Sequence, residues 1–283
     1  MIGPEHEALR PGSGEGFADS VTVAFGDPQA QVYGLVRIGL QPGEPATGSV
    51  LAVLFAGSET VDVAARGDVE VSDPGWESAT VDGVTLATEE PLSAWSLRWE
   101  GRLDLRVTAL SPPVETAIGG LEGYEQLCRV EGTATVDGVE RRVSCLGQRG
   151  HNWGVADWDR MDLARTVCAW WDEDHALMLT AIRPAGAEHQ DAEEMAAHLL
   201  EGEPVEVADP RLSTTYDADG HQRRAGLELY VTGEDDEYPR RVAGEVMCGT
   251  SLDLGRLRLD CAFFEWRTEG RAGTGRYDLL RRA

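Results

Sequence analysis

Short runs of β-branched and aromatic residues, each closed by Gly, Pro or Asp, recur along almost the whole chain, and they limit its folds more than any other feature. "VTVAF", "QVYGLVRIGL", "SVLAVLFAG", "GVTLATEE", "WSLRWEG" and "LDLRVTAL" occupy the first 110 residues. "GLELYVT", "RRVAGEVMCGTSLDL", "RLRLDCAFFEWRT" and "GTGRYDLL" close the sequence in the same way. Such runs fit a pleated, half-buried surface and form strands. Two "VDGV" tetrads, Val81–Val84 and Val136–Val139, put Asp-Gly between strand-like flanks. Asp-Gly accepts the positive φ angles of a type I′ hairpin turn, so both predict tight hairpins. "DEDH", Asp172–His175, reads as a third hairpin loop. One segment has a helical pattern: "DAEEMAAHLLEG", Asp191–Gly202, with acids in its first turn, apolar residues at helical spacing and a terminal Gly. The expected fold class is therefore all-β, barrel or sandwich, with one short helix.

The chain has 283 residues, enough for one large domain or two smaller ones. No apolar run approaches the roughly 18 residues of a membrane helix. "MIGPEHEALRPGSGEGF" lacks the basic start and apolar core of a signal peptide, so a cytoplasmic location is expected. Fifty acids stand against 25 bases, a net charge of −25 that repels nucleic-acid backbones and anionic membranes. Every base is arginine. Without lysine there is no Schiff base, no pyridoxal-phosphate anchor and no P-loop. The five cysteines, Cys128, Cys145, Cys168, Cys248 and Cys261, lie apart inside apolar runs and read as buried thiols. The histidines are scattered, with no metal-ligand spacing. No nucleophile elbow or dinucleotide fingerprint in a βαβ setting occurs. No metal and no cofactor are expected.

Against this plain background "GQRGHNWGVADW", Gly147–Trp158, is dense in polar groups and rings. If Val139–Asp157 is extended, Arg149, His151, Trp153 and Asp157 share one face. The strand before the Asp137-Gly138 turn brings Tyr124, Gln126 and Cys128 in one alternating set. Two readings fit. One is a pocket with apolar walls and a few convergent polar groups, able to hold a carboxylic acid away from water as a proton donor. The other is a buried Arg–Asp pair packed by tryptophan that closes the end of a barrel.

"YEQLCRVEGTATVDG", "CLGQRGHNWGVADWD" and "ALMLTAIRP" together resemble the lipocalin-like superfamily of carotenoid 1,2-hydratases (hydroxyneurosporene synthases) and AttH-like proteins. The matching positions are Gly147, Arg149, His151, Trp153, Gly154, Asp157 and Trp158, with Tyr124, Glu125 and Gln126 upstream. Gly150 and Ala156 depart from the family pattern, which has Asp and Arg there. The resemblance implies two consecutive lipocalin-like antiparallel β-barrel or sandwich domains, with a ligand pocket in or between them. On that basis residues 1–15 form a flexible N-terminal segment, 16–158 the first domain, and 159–283 the second, with its helix near 191–202. It also implies cofactor-free chemistry of secondary metabolism on a hydrophobic small-molecule substrate: acid-initiated hydration, terpenoid cyclisation or pericyclic ring closure. A non-catalytic carrier of a lipophilic molecule is the alternative. The candidate catalytic residues are Asp157, Asp159 and His151. Trp153, Trp158, Trp170, Tyr124, Gln126 and Arg149 are the candidate substrate-binding residues.

Overall fold

The computed structural model describes residues 1–12, 16–187, 193–233 and 238–282. They divide into two compact units, Met1–Ala156 and Asp157–Ala283. The first is an eleven-stranded antiparallel sheet. Its strands are β1 (Phe17–Asp27), β2 (Val32–Gln41), β3 (Thr47–Ala56), β4 (Glu59–Glu70), β5 (Ala79–Val81), β6 (Val84–Glu90), β7 (Ala94–Trp99), β8 (Leu103–Ala109), β9 (Val114–Ile118), β10 (Leu121–Val136) and β11 (Val139–Val155). The order is β4-β3-β2-β1-β11-β10-β8-β7-β6-β5, with β9 added on β10. The second unit is a closed barrel of β12 (Met161–Trp170), β13 (His175–Pro184), β14 (Glu194–Glu201), β15 (Glu203–Tyr216), β16 (Gln222–Val231), β17 (Arg240–Asp253), β18 (Leu257–Thr268) and β19 (Arg271–Arg282). Closure removes the unpaired edges an open sheet must protect.

The turn chemistry matches the sequence. Asp82 and Gly83 have φ of 47° and 79°, Asp137 and Gly138 have 52° and 76°, and Val81 and Val136 pair with Val84 and Val139. Positive φ at both central residues is the type I′ geometry, whose twist suits the flanking strands. Inward residues alternate along the strands as a period of two requires. In the first unit Val21, Val23 and Phe25 of β1 join Val36, Ile38, Leu54, Trp95 and Val130 in one buried cluster. In the second, Val167, Leu179, Leu227, Phe264 and Tyr277 do the same.

The expected helix is corrected. Asp191 and Ala192 lie outside the described residues, but Glu194–Glu201 is strand β14, paired with both β13 and β15. Met195, Ala197 and Leu199 satisfy a period of two as well as a helical one, and they meet the barrel core with Val205 and Val207. The helix preference of such residues amounts to a few tenths of a kcal/mol each. Leaving the barrel open here would strip hydrogen bonds from two ladders, so tertiary pairing wins. Among the described residues the helical turns are two 3-10 turns, Pro4–Glu7 and Trp158–Arg160. Among the described residues no helix is long and apolar enough to cross a membrane.

The N-terminal segment differs from expectation too. Ser13–Glu15 lie outside the described residues, but Glu7, in the first 3-10 turn, is buried in the first unit and hydrogen-bonded there. It belongs to the fold because Arg149 needs its charge.

Candidate functional site

The register of three adjacent strands assembles the polar centre. On β11, Arg149 lies opposite Val23 of β1 and Gln126 of β10, and His151 lies opposite Val21 and Tyr124. Asp19 is two residues before Val21, in the same inward phase, and faces Trp153. Tyr124, Gln126, Arg149, His151 and Asp19 thus share the face that carries the apolar core, and each is at most 1% exposed.

Two carboxylates anchor the cluster. Glu7 accepts from Arg149 Nη2 at 2.7 Å, from Trp95 Nε1 at 3.3 Å and from the Tyr124 hydroxyl through a short bond. Arg149 Nη1 also donates to the Tyr124 oxygen at 3.0 Å, and the guanidinium lies over the Trp95 ring, 4.1 Å from its centre. Asp19 accepts from His151 Nε2 at 2.6 Å, from Trp76 Nε1 at 3.1 Å and from the Arg10 backbone N–H at 2.8 Å. The two halves meet where His151 Nδ1 faces the Tyr124 hydroxyl at 3.4 Å. Because Tyr124 gives its single proton to Glu7, the Nδ1 edge is where the imidazole can take or release a proton. Indoles line the imidazole: Trp76 and Trp153 stand edge-on to it at 5.5 and 5.4 Å. Arg10 covers Trp153, 4.4 Å from the ring centre.

Burial pulls the His151 pKa below its ordinary value, and the hydrogen bond and charge of Asp19 oppose that pull. Burial also pushes the Tyr124 hydroxyl well above the usual phenol range, with Arg149 opposing. The centre therefore favours neutral imidazole and phenol between two carboxylates, one of them neutralised by Arg149.

Of the residues singled out in the sequence, Tyr124, Arg149 and His151 meet in this centre, and Trp153 covers it. Gln126 shares their face, but its amide donates to the carbonyls of Leu92 and Ser111 and so ties down two loops. Asp157 does not share the face of Arg149, because β11 ends at Val155 and Asp157 precedes the second 3-10 turn. Its side chain is 55% exposed beside Arg160, and that of Asp159 is 81% exposed beside Arg282. Neither has the apolar surroundings that a shielded proton donor requires. Trp158 is half-buried in that turn, and Trp170 is buried on β12 of the second unit. The buried Arg–Asp pairing foreseen in the sequence is replaced by Arg149–Glu7 and His151–Asp19.

Glu7, Asp19, Trp76 and Trp95 were missed. Asp19 had a signal, a carboxylate in the buried phase of "FADSVTVAF". Glu7 had none, since 142 positions separate it from Arg149. Asp217, Asp219 and His221 bring possible metal-ligand atoms within 4.8 Å of one another. Asp217 is already engaged there by the backbone N–H groups of Asp219 and His221.

The sheet and barrel share the fold of solved AttH-like structures. The chain is similar to the crystal structure of an AttH-like protein from Nitrosomonas europaea, with a TM-score of 0.66 and 14% identity over 94% of this chain and 92% of that one. CghA crystallised with Sch210972 gives 0.65 and 14% over 94% and 89%, and kievitone hydratase from Nectria haematococca gives 0.63 and 10% over 95% and 89%. More specifically, the chain belongs to the family DUF7064, a domain of unknown function, whose model matches residues 3–282. No curated protein matches the sequence.

Proposed function

We propose that this protein is a cofactor-independent enzyme of secondary metabolism that encloses a hydrophobic, isoprenoid- or polyketide-like molecule and drives its hydration or cyclisation by proton transfer at His151. The observation that carries this reading is two buried pairs, Asp19–His151 and Glu7–Tyr124, whose His151 Nδ1 and Tyr124 oxygen stand 3.4 Å apart among three indoles. In a hydration, His151 first takes a proton from solvent to form the imidazolium that the resting centre disfavours, and this gives its Nδ1 proton to an alkene carbon. The cation left on the neighbouring carbon takes a water oxygen, and the surplus water proton returns to Nδ1. One water is added and the imidazolium is restored. In a cyclisation, a second alkene of the substrate attacks in place of water, and the proton returned comes from carbon. Asp19 keeps the Nε2 proton in place and supports the imidazolium, while Trp76 and Trp153 present π systems beside the developing cation. The lowered pKa of His151 makes its conjugate acid a stronger donor.

That kievitone hydratase shares the fold supports hydration as one reaction of this architecture. A second reading is a carrier of a lipophilic molecule, which needs apolar walls such as the buried cluster of the first unit supplies and no proton transfer. Exposure of the protein to lipophilic extract, native mass spectrometry of what it captures, and incubation of each captured molecule with fresh protein distinguish the two. Gain of one water, or isomerisation at constant mass, is expected with the native chain and is lost in His151→Gln. Turnover that survives both His151→Gln and Asp19→Asn but fails in Trp153→Ala refutes proton transfer and favours pericyclic closure. Capture without conversion, repeated with candidate precursors, favours the carrier.

A further inference from the structure

Two polar atoms of the buried centre remain over when its hydrogen bonds are assigned. Gln126 uses its amide hydrogens on backbone, donating through Nε2 to the carbonyls of Leu92 at 3.1 Å and Ser111 at 3.0 Å. Both partners can only accept, so the amide has one orientation, and its carbonyl direction is fixed by the two anchors. Its Oε1 accepts from no described residue. Arg149 uses Nη1 on Tyr124 and Nη2 on Glu7, and its Nε–H has no acceptor among the described residues. Gln126 is 1% exposed and Arg149 is wholly buried, so bulk solvent reaches neither.

The two residues are direct partners in the ladder of β10 and β11. Residues so placed have Cβ atoms about 4.5–5.5 Å apart on one face of the sheet. A lone acceptor beside a lone donor is the complement of a hydroxyl group, which gives one hydrogen and takes another. A carbonyl or carboxylate would satisfy only Arg149 Nε, and an ammonium only Gln126 Oε1. Water is the smallest molecule with the required pairing, and buried polar atoms without protein partners are where structural waters sit. The pair also adjoins the imidazole. The Tyr124 oxygen is 3.0 Å from Arg149 Nη1 and 3.4 Å from His151 Nδ1, so one hydroxyl separates the guanidinium from the proton-transfer edge.

We propose that Gln126 Oε1 and Arg149 Nε hold one water molecule, and that this water is the nucleophile of the hydration at His151. The site stands on the two unmatched atoms alone, while its use rests on the proposed hydration. Arg149 Nε–H donates to one lone pair of the water, and Gln126 Oε1 accepts one of its hydrogens. The second lone pair forms the C–O bond to the cation. The hydrogen held by Gln126 stays on oxygen as that of the product alcohol, and the other leaves to His151 Nδ1, so one water is added. Gln126 is thus a positioning residue for the water and takes no proton itself.

A high-resolution crystal structure of the full chain tests the site, and product analysis tests its use. The native chain is expected to show a water within about 3.2 Å of both Gln126 Oε1 and Arg149 Nε, and Gln126→Met to lack it. No water there in the native chain overturns the proposal whatever reaction the protein performs, and this measurement stays decisive where Gln126→Met does not fold. A molecule that the native chain hydrates is then given to Gln126→Met. His151 still forms the cation, which sheds a carbon-bound proton in place of gaining water. The ratio of hydrate to isomerised alkene is expected to fall at least about tenfold, the factor that one ordinary hydrogen bond supplies. An unchanged ratio, or equal loss of both products, overturns the role in catalysis and leaves Gln126 as a tie between loops. A water in place in a native chain that hydrates nothing supports the site and overturns both its use and the reaction at His151.

Discussion

Replacing Glu7 by alanine removes the carboxylate that answers Arg149, Tyr124 and Trp95 and leaves a guanidinium with no solvent exposure beside an empty acceptor position. Breaking a buried ion pair from one side costs about 3–5 kcal/mol, because the remaining charge can be neither solvated nor deprotonated. The exposed pair Arg98–Asp104, at 3.4 Å with side chains 69% and 65% exposed, gives the contrast. Asp104→Ala there should cost about 0–1 kcal/mol. Urea unfolding followed by tryptophan fluorescence is suited to the comparison, since Trp76, Trp95 and Trp153 all report on the first unit. A double variant, Glu7→Ala with Arg149→Met, should regain part of the loss, because no buried charge is then left unpaired. If Glu7→Ala shifts the first unit's stability by less than about 1 kcal/mol, the carboxylate is not closing a buried charge, and the account of the N-terminal segment fails.

Because the folded state holds His151 below its ordinary value of 6.5, the unfolded chain binds the extra proton first as pH falls. Stability should therefore be full above about 6.5 and decline beneath it, and His151→Gln should flatten that decline in pH-dependent thermal melts. His198 is also lowered by burial, so His198→Gln is the companion measurement that separates the two contributions. Asp157→Asn together with Asp159→Asn should move stability by no more than about 0.5 kcal/mol, as expected of exposed sites, and should leave turnover intact. A large loss of turnover would return the acid role to that turn. Gly275→Ala would place a Cβ 2.0 Å from the Cys168 carbonyl oxygen, where β19 crosses β12. It should destabilise the barrel by at least about 1–3 kcal/mol in the same urea assay. Burial pushes Cys128 and Cys248 up to about 12, so both should resist a thiol reagent at neutral pH until denaturant is added.

The sequence was most legible where backbone chemistry acts locally. The Asp-Gly pairs at 82–83 and 137–138 require positive φ at both positions, and few other structures fit them. That Arg149 and His151 share one face, and Tyr124 and Gln126 another alternating set, followed from a period of two along β10 and β11, but the period alone left open which face points inward. It failed beyond Val155, where the strand ends and periodicity stops applying to Asp157. Met195, Ala197 and Leu199 misled because a short apolar run can satisfy both periods, and only barrel closure decides between them. The carboxylate partners were illegible for another reason. A buried cation announces that an anion must exist, but nothing in the residue itself says how far along the chain that anion lies. Asp19 and Glu7 are 132 and 142 positions from the groups they answer.

That separation shapes the order of events during synthesis. Asp19 and Glu7 leave the ribosome long before β11, and β1 must wait for β11 to gain one of its two neighbours. Until then the first unit is a run of local hairpins with two acids awaiting their bases. The return of the earliest strand to the latest is a slow kind of contact, because the intervening chain must first be gathered. When β11 docks it brings Arg149 and His151 together, so assembly of the polar centre and completion of the sheet are a single step.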